Sequence, residues 1–303
     1  MLNAYLESTQ HFETILDFYR FGLSRANEES LYFGHGTDNA ADDIWSLILG
    51  SLSLPFTTET HFYPARLTET EKQHLASQLA KRILHRIPVP YLIHEAQFCE
   101  MSFYVDERVL IPRSPIAELI RQQFSPWVNP DRVSAILDLC TGSGCIAIAC
   151  CVAFPEAIVD AVDISEDALD VAAINRDNYE LEDQLTLIQS DCFDHVPKAS
   201  YDIIVSNPPY VGCDEMASLP KEYLHEPSIA LEAAHDGLAI VEKILYAASE
   251  YLSDEGILVV EVGNSEDALV SAYPTVPFVW LDFEHGGQGI FLLTAEDVRT
   301  YFK

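Results

Sequence analysis

Basic residues are scarce in this sequence, which has 17 lysines and arginines against 48 aspartates and glutamates in 303 residues, a formal net charge of −31. A surface this negative repels phosphate backbones, so stable binding to long nucleic acid requires a concentrated basic patch. The densest basic run, KRILHR (81–86), spaces its cations around a predicted helix and forms no such patch. We therefore expect no direct DNA binding. The acidic surface suits a basic protein partner, although solubility or adaptation to salt explains the charge equally well.

Long apolar runs and metal-ligand spacings are also missing. No stretch approaches the roughly 20 apolar residues that a membrane helix needs, and the acidic, polar-interrupted N-terminus is unlike a secretory or mitochondrial leader. The seven cysteines include no C-x-x-C pair, and the ten histidines include no H-x-x-H or H-x-x-x-H spacing. We expect a cytoplasmic protein without a membrane association or a metal site, with its cysteines acting mainly as small buried hydrophobic residues.

The first 95 residues predict a helical domain. Apolar residues recur at three-to-four spacing over 11–25, 39–49 and 68–87. The third of these helices should begin with a capping box formed by Thr68 and Glu71. In the polar loop FGHGTDN before the second helix, an N-cap at Thr37 or Asp38 and a role in substrate recognition are both open readings.

The stretch that follows predicts a β-hairpin linker, residues 96–115, because the prolines of RIPVPY end the helical pattern and aromatic and β-branched residues then alternate. From residue 116 to 303 we expect a larger domain of alternating strands and helices, which implies a doubly wound, mainly parallel sheet. The last two strands are separated only by EHGGQ, a hairpin length, so one edge strand should run antiparallel. The seven predicted strands are SAILDLC, IVDAVDI, LTLIQSD, YDIIVSN, GILVVEV, PFVWLDF and GIFLLT.

A glycine turn, DLCTGSGCIA (138–147), follows the first of these strands. Gly142 and Gly144 allow a tight turn and a close approach of a ligand to the backbone of the next helix. Asp163 lies 19 residues beyond Gly144, where a carboxylate that binds a ribose is expected. The pattern predicts a nucleoside site, and a tight turn without a ligand is the alternative.

Two further acids favour a cationic nucleoside over NAD. Asp138 precedes the glycines and Asp191 ends the third strand, so three carboxylates including Asp163 should meet at one edge of the sheet. A pyrophosphate is repelled by such a cluster, whereas the sulfonium and ammonium of S-adenosylmethionine are attracted by it. A turn or helix cap is the alternative role for Asp191.

The stretch VSNPPY, which ends the fourth strand, predicts a binding site for an NH2 group. A primary amide or exocyclic amine has two donors, and the side-chain oxygen of Asn207 and the carbonyl of Pro208 can accept both. Pro208 and Pro209 have no N–H to compete for these acceptors, and they stiffen the loop. Nucleophilic attack by the nitrogen makes it positive, so fixed acceptors stabilise the transition state. Tyr210 offers a flat face to the substrate or to the sulfonium. An ordinary turn is the alternative reading.

Taken in this order and spacing, DLCTGSGCIA, VDIS, QSDCF and SNPPY resemble the Rossmann-like class I methyltransferases that modify glutamine side-chain amides in translation proteins, over essentially the whole chain. The resemblance implies S-adenosylmethionine as cofactor, and catalytic roles for Asn207, Pro208 and Tyr210. Pro209 is implied in the substrate site with these three. The implied cofactor contacts are Asp138, Thr141, Gly142, Ser143, Gly144, Cys145, Asp163, Asp191, Cys192 and Asn207. Some relatives have an aromatic residue at the Cys192 position, and Phe193 is expected to compensate.

Two other segments, LYFGHGTDNA and FYVDERVLIPRSPI, resemble the branch of this family that acts on large-ribosomal-subunit protein L-three, rather than the release-factor branch. The segment YLHEPSIALEAAHDGL (223–238) also resembles the family and is expected to cover the site. Within it, His225, Glu226 and His235 are expected to be surface or capping residues. Arg113 is expected in a surface ion pair without a catalytic role.

The leading hypothesis is therefore transfer of a methyl group to the N5 nitrogen of a glutamine in that basic ribosomal protein. Methylation of a release factor, adenine-N6 methylation of nucleic acid, and a catalytically inactive ribosome-assembly adaptor are the alternatives. NAD-dependent redox chemistry is more distant, because no Lys, His or Tyr proton donor with recognisable spacing accompanies the glycine turn. The oligomeric state does not follow from the sequence.

Overall fold

The computed structural model describes residues 2–235, 237–284 and 286–302, without the side chains of residues 2–4, 6, 213 and 214. The chain divides into two compact units. The first unit comprises Met1–Ala96, Val105–Glu107 and Pro220–His225, and the second comprises Gln97–Tyr104, Arg108–Leu219 and Glu226–Lys303.

The first unit is helical, as the apolar periodicity predicts. The capping box of Thr68 and Glu71 is confirmed at the start of its longest helix. The N-cap of the helix that begins at Ala40 is Asn39, whose side chain accepts a hydrogen bond from the Asp42 N–H, so the expected cap at Thr37 or Asp38 is wrong by one or two residues. The helices are α1 (Leu2–Thr9), α2 (Ile15–Glu28), α3 (Ala40–Ser51), α4 (Glu69–His85) and α5 (Val89–Ile93).

A buried ion pair joins α3 and α4 inside this unit. The guanidinium of Arg82, which is 1% exposed, donates to both carboxylate oxygens of Asp43, with nitrogen–oxygen distances of 2.8 and 3.2 Å. Arg82 also donates to the Tyr32 carbonyl at 3.0 Å, and Thr37 donates to Asp43 at 3.3 Å. The loop FGHGTDN is therefore anchored through Thr37 to a buried pair of opposite charges, which must be buried together because burial of either charge alone is strongly unfavourable.

The second unit contains the predicted seven-stranded sheet and a two-stranded hairpin, whose strands cover only Ala96–Phe98 and Met101–Phe103 of the predicted 96–115. The sheet has the order β5-β4-β3-β6-β7-β9-β8. Six strands share one direction, and β9 runs antiparallel between β7 and the edge strand β8. Within the turn EHGGQ between the last two strands, His285 lies outside the described residues. The strands are β1 (Ala96–Phe98), β2 (Met101–Phe103), β3 (Ala135–Leu139), β4 (Ile158–Asp163), β5 (Leu185–Gln189), β6 (Tyr201–Ser206), β7 (Leu252–Glu261), β8 (Val279–Trp280) and β9 (Ile290–Thr294).

Neighbouring residues of a strand point to opposite sides of the sheet. Both faces of this sheet are apolar, and helices cover both. Ile136 and Ile203 belong to one buried core, and Leu137 and Ile204 belong to the other. The sequence prediction included only the three longest helices of this unit. It did not include the short helices at Ile116–Arg121, Cys213–Met216, Glu266–Ala272 and Ala295–Tyr301. The helices of this unit are α6 (Ile116–Arg121), α7 (Cys145–Ala153), α8 (Glu166–Asn178), α9 (Cys213–Met216), α10 (Ala239–Ala248), α11 (Glu266–Ala272) and α12 (Ala295–Tyr301).

Of the four cysteines at 140–151 expected to be buried, Cys145, Cys150 and Cys151 on α7 lie in the core, whereas Cys140 in the glycine turn is only partly buried. Among residues 2–235, 237–284 and 286–302, no helix combines the length and apolarity that a membrane crossing demands. The same part of the chain contains no cluster of His, Cys, Asp or Glu suited to holding a metal ion.

Candidate active site

The glycine turn and the Asn-Pro-Pro-Tyr loop leave the sheet side by side. Leu139 at the end of β3 pairs with Ser206 at the end of β6, and the Ser206 hydroxyl donates to the Leu139 carbonyl at 2.8 Å. Cys140 and Asn207 come directly after these paired residues. The loops that the sequence singled out therefore start from neighbouring parallel strands at their carboxyl ends, where ligands bind in open α/β sheets.

Asp138 is completely buried behind the glycine turn. Its Oδ2 accepts hydrogen bonds from the Thr141 hydroxyl at 2.5 Å and from the Ala147 N–H at 3.2 Å. Its Oδ1 has no hydrogen-bond partner among the described residues. Burial raises the pKa of Asp138 to about 7, and the two bonds oppose that rise only in part. Asp138 therefore holds the turn against α7 and places an uncompensated carboxyl behind Thr141.

The two glycines have different structural tasks. Gly142 (φ +55°) has open space where a side chain would be, so a ligand can approach its backbone. Gly144 (φ +79°) instead lies against α8: a Cβ on it would be 3.2 Å from the Cβ of Ala172. Gly144 therefore serves helix packing as well as the turn.

Asp163 ends β4 and connects the turn to the neighbouring strand. One carboxylate oxygen accepts from the Gly142 N–H and the other from the Ser165 N–H, both at 2.9 Å. Burial raises the pKa of Asp163, and these backbone bonds oppose the rise. No basic side chain among the described residues forms an ion pair with Asp138 or Asp163. This end of the site is consequently electronegative.

Two cavities, of about 90 and 310 Å³, lie at this edge of the sheet, and we call them the first and second cavity. Cys140, Asp163, Ile164, Pro209 and Ile229 line both, so the two cavities adjoin. Among the predicted site residues, the first cavity is lined by Thr141, Gly142, Ser143, Cys145, Asp163 and Asn207, and the second by Asp163, Asp191 and Cys192. The structure thus brings most of the predicted site together.

The Asn-Pro-Pro-Tyr loop contributes to the cavities unequally. Asn207 lines the first cavity, and its carboxamide makes no hydrogen bond to another described residue, which leaves it available to a ligand. Pro208 is buried and Pro209 lines both cavities. The hydroxyl of Tyr210 donates to Glu261 at 2.9 Å. Four predicted residues, Asp138, Gly144, Pro208 and Tyr210, do not line either cavity.

At the second cavity, two expectations change. Asp191 forms an ion pair with Lys243 at 2.8 Å, and Lys243 also lies 3.2 Å from Asp194, so one ammonium offsets only part of the charge of two carboxylates. Cys192 lines this cavity, but Phe193 lies in the core, where its ring stacks on Tyr251 with centroids 4.6 Å apart. Phe193 therefore does not supply the missing aromatic surface, and Cys192 itself forms the wall.

Arg113 forms an ion pair, as expected, but its partner is the buried Glu226 and the pair lies at the first cavity, which the sequence did not predict. Arg113 lines the first cavity, and its two terminal nitrogens donate to the carboxylate oxygens of Glu226 at 2.7 and 2.8 Å. The Glu226 side chain is 0% exposed and also accepts from the Ile111 N–H at 3.0 Å. The expectation of a surface or capping role for Glu226 is wrong, because this carboxylate fixes a guanidinium at the cavity wall. His225 and His235 remain outside the two cavities.

Part of the segment 223–238 lines the two cavities. Ile229, which is 56% exposed, lies over both of them, and Ala233 and Ala234 line the second. Asp236 in this segment lies outside the described residues. A partly exposed isoleucine facing adjoining cavities offers an apolar contact to a bound nucleoside.

S-adenosylmethionine fits this donor set. Asp163 lines both cavities without an ion-pair partner among the described residues, and a carboxylate there matches a cofactor that has a sulfonium and an ammonium group. Asp163 can accept from ribose hydroxyls, and the open backbone at Gly142 allows close approach. Asn207 faces the same cavity from the opposite loop.

Comparison with known proteins identifies the family. The chain is 46% identical over 293 residues to the ribosomal protein uL3 glutamine methyltransferases of Neisseria gonorrhoeae and Neisseria meningitidis serogroup B, covering 96% of this chain and 98% and 96% of theirs. This chain belongs to that family. Residues 124–232 also match the methyltransferase small domain. The ribosomal protein L11 methylase of Lactobacillus delbrueckii subsp. bulgaricus, a solved structure, aligns with a TM-score of 0.42 and 17% identity, covering 59% of this chain and 77% of its own.

The fold and the enzyme class follow from this membership. The protein is an S-adenosylmethionine-dependent methyltransferase with a Rossmann-like class I fold, as the sequence predicted. The strand order brings the glycine turn and the Asn-Pro-Pro-Tyr loop to adjacent positions in the sheet.

We expect Asp163→Asn to weaken cofactor binding by about 2–3 kcal/mol, roughly 30- to 150-fold in Kd, because the variant loses charge-assisted bonds. Titration calorimetry with S-adenosylmethionine measures this directly. Asp160→Asn is the matched control: Asp160 is on the same strand, and its carboxylate accepts from the Tyr201 hydroxyl at 2.6 Å away from the cavities. Equal affinities of the wild type and Asp163→Asn would remove Asp163 from the cofactor site.

Proposed function

We propose that this enzyme transfers a methyl group from S-adenosylmethionine to the N5 side-chain nitrogen of a glutamine in ribosomal protein uL3. The observation that carries the proposal is the position of Asn207, whose unengaged carboxamide lines the same cavity as Thr141, Gly142 and Asp163. The family membership supports uL3 as the substrate.

Two hydrogen-bond acceptors hold the NH2 group of the glutamine side chain. Its NH2 group has two donors, and the Asn207 oxygen and the backbone carbonyl of Pro208 accept them. Neither Pro208 nor Pro209 has an N–H that competes. S-adenosylmethionine, when bound, supplies an electrophilic methyl group on a sulfonium.

Holding the nitrogen in line with that methyl removes much of the entropic cost of the reaction. As the nitrogen attacks, it becomes positive, and the two fixed oxygens stabilise the developing charge. As the nitrogen–carbon bond forms, the bond between the methyl carbon and sulfur would break and the neutral thioether S-adenosylhomocysteine would leave. The nitrogen then loses a proton to solvent and becomes a neutral amide, so no general base is needed before the attack.

The remaining predicted residues serve the cofactor. Thr141 to Cys145 form the turn against its methionyl part, and Asp163 accepts from the ribose hydroxyls. Cys192 and Asp191 border the adenine at the second cavity, and Asp191 is held there by Lys243. Asp138 acts from behind Thr141 by orienting the turn.

The partner is a basic ribosomal protein, and the net charge of −31 supports this assignment by attracting a cationic surface. We place the modification in the cytoplasm, with no direct binding to DNA or membranes. Residues 1–95 are proposed as the substrate-recognition domain, residues 96–115 as a linker and residues 116–303 as the catalytic domain.

The test is mass spectrometry after incubation of the purified enzyme with isotopically labelled cofactor and purified uL3. We expect one labelled methyl group on one glutamine of uL3. Release factors and an adenine-containing oligonucleotide, incubated in parallel, should remain unlabelled. Label on a release factor or on adenine would assign a different substrate, and no label on any of the three would contradict the proposal.

A further inference from the structure

Glu261 is a buried carboxylate at the end of β7 that the proposed chemistry does not use. Its side chain accepts two short hydrogen bonds: Oε1 from the hydroxyl of Tyr210 at 2.9 Å and Oε2 from the hydroxyl of Ser114 at 2.5 Å. The residue is 6% exposed and lines neither cavity. Both carboxylate oxygens are therefore committed to protein hydroxyls.

The two hydroxyls belong to segments that form separate walls of the first cavity. Ser114 lines it together with Pro112, and the loop of Tyr210 contributes Asn207 and Pro209. These segments are almost a hundred residues apart in the chain. One carboxylate that accepts from both fixes the spacing between the wall that carries Asn207 and the wall that carries Ser114.

Other contacts hold Tyr210 without involving a charge. The Ser265 hydroxyl donates to the Tyr210 carbonyl at 2.9 Å. The ring lies against Gly263, where a Cβ would be 2.5 Å from ring atom Cε2, and the carbonyl lies against Gly237, where a Cβ would be 2.0 Å from it. The contacts with Ser265 and Gly263 hold Tyr210 against the segment that follows β7, and Glu261 at the end of β7 extends this connection to Ser114.

We propose that Glu261 is a positioning residue for methyl transfer: it ties Tyr210 to Ser114 and thereby fixes Asn207 relative to another wall of the first cavity, which Thr141, Gly142 and Asp163 also line. This inference rests on the proposed function of Asn207. Glu261 does not touch the substrate or the cofactor, so it affects the rate of transfer rather than the binding of either. A displacement of about 1 Å at reacting atoms costs on the order of 100-fold in rate.

The test is steady-state kinetics of uL3 methylation with Glu261→Ala, Glu261→Gln and Tyr210→Phe. We expect Glu261→Ala to lower kcat roughly 10- to 100-fold, with KM for uL3 and the Kd of S-adenosylmethionine within about threefold of wild type. Glu261→Gln keeps a group that bonds both hydroxyls and should restore most of the rate. Adding Tyr210→Phe to Glu261→Ala should cause little further loss, because both changes break the same connection.

Tyr201→Phe is the matched control. It also deletes a tyrosine hydroxyl bonded to a carboxylate, that of Asp160, in the same unit but outside both cavities. It should lower stability and leave kcat unchanged. If Glu261→Ala does not fold, Ser114→Ala and Tyr210→Phe carry the comparison: each should lower kcat, and the double variant should lose less than the product of the two losses.

The outcomes separate this inference from the proposed function. A wild-type kcat in folded Glu261→Ala, or losses that multiply independently with Tyr210→Phe, would overturn the inference alone. A loss of cofactor binding that parallels the loss of rate would assign Glu261 a merely structural role. A wild-type enzyme that does not methylate uL3 would overturn both.

Discussion

Replacement of Asn207 by alanine should lower kcat for glutamine methylation by at least about 10²–10³-fold, while S-adenosylmethionine binds with an affinity within about threefold of wild type. The Asn207 carboxamide lines the first cavity without a protein partner, so its removal breaks no bond among the described residues. What is lost is an acceptor that meets the substrate NH2 and stabilises the positive charge developing on the nitrogen. Single-turnover methylation and titration calorimetry measure the two quantities separately.

Two further variants sharpen this result. Asn207→Asp keeps an oxygen acceptor in place and should retain more activity than Asn207→Ala. Asn178→Ala, an exposed asparagine at the end of α8, controls for the general effect of the substitution and should behave as wild type. Equal loss of cofactor binding and methyl transfer in Asn207→Ala would contradict the assignment of this side chain to the substrate.

Replacement of Asp138 by asparagine should change how stability depends on pH, because this carboxyl is buried without a positive partner. Burial raises the pKa of Asp138 from 3.8 to about 7. The folded protein therefore holds this proton more tightly than the unfolded chain does. The stabilisation is fully present below pH 3.8 and is lost as the pH rises to about 7, and the whole change amounts to roughly 4 kcal/mol.

About half of this change in the free energy of unfolding falls between pH 5.5 and 8, where it can be measured. Between pH 5.5 and 8, without cofactor, the free energy of unfolding of the wild type should fall relative to that of Asp138→Asn by about 2 kcal/mol. Urea denaturation of both proteins at several pH values gives this difference. Parallel curves would show that Asp138 is already ionised at pH 5.5 in the folded protein.

Asp202→Asn is the control, because the pKa of Asp202 is shifted in the opposite direction to that of Asp138. Burial alone would raise the pKa of Asp202, but hydrogen bonds from Ser134, Ser253 and Ala135 outweigh burial and lower it. The stabilisation from Asp202 is present above pH 3.8 and is lost only at lower pH. The difference between wild type and Asp202→Asn should therefore stay constant from pH 5.5 to 8.

Local patterns in the sequence predicted the elements of the fold well. The seven strands of the sheet, the hairpin and the capping box at Thr68 all follow from features a few residues long: alternation, proline, glycine and side-chain-to-backbone bonds. The same kind of reasoning missed the cap at Asn39, because Thr37, Asp38 and Asn39 are all competent caps and only the course of the loop selects one. The short helices α11 and α12 have too few turns for a clear period.

The sequence likewise predicted some residues of the candidate site and missed others. Asn207, Asp163 and the glycine turn were found because each stands immediately after a strand, where a polar residue interrupts an apolar run. Glu261 closes the apolar run of β7 in the same way, and that signal could have identified it. Its partners, Ser114 and Tyr210, could not have been predicted, because they are 147 and 51 residues away.

The sequence by itself determined the strand and helix order, the chemistry of the two loops and the type of cofactor, since these depend on residue type and short spacing. Only the tertiary structure decided which charges compensate each other: Lys243 is shared by Asp191 and Asp194, Arg113 pairs with Glu226, and Asp138 pairs with no described residue. Charge compensation acts through space between groups that the fold brings together. The linear sequence cannot show it, because Arg113 and Glu226 are 113 residues apart and come into contact only in the folded protein.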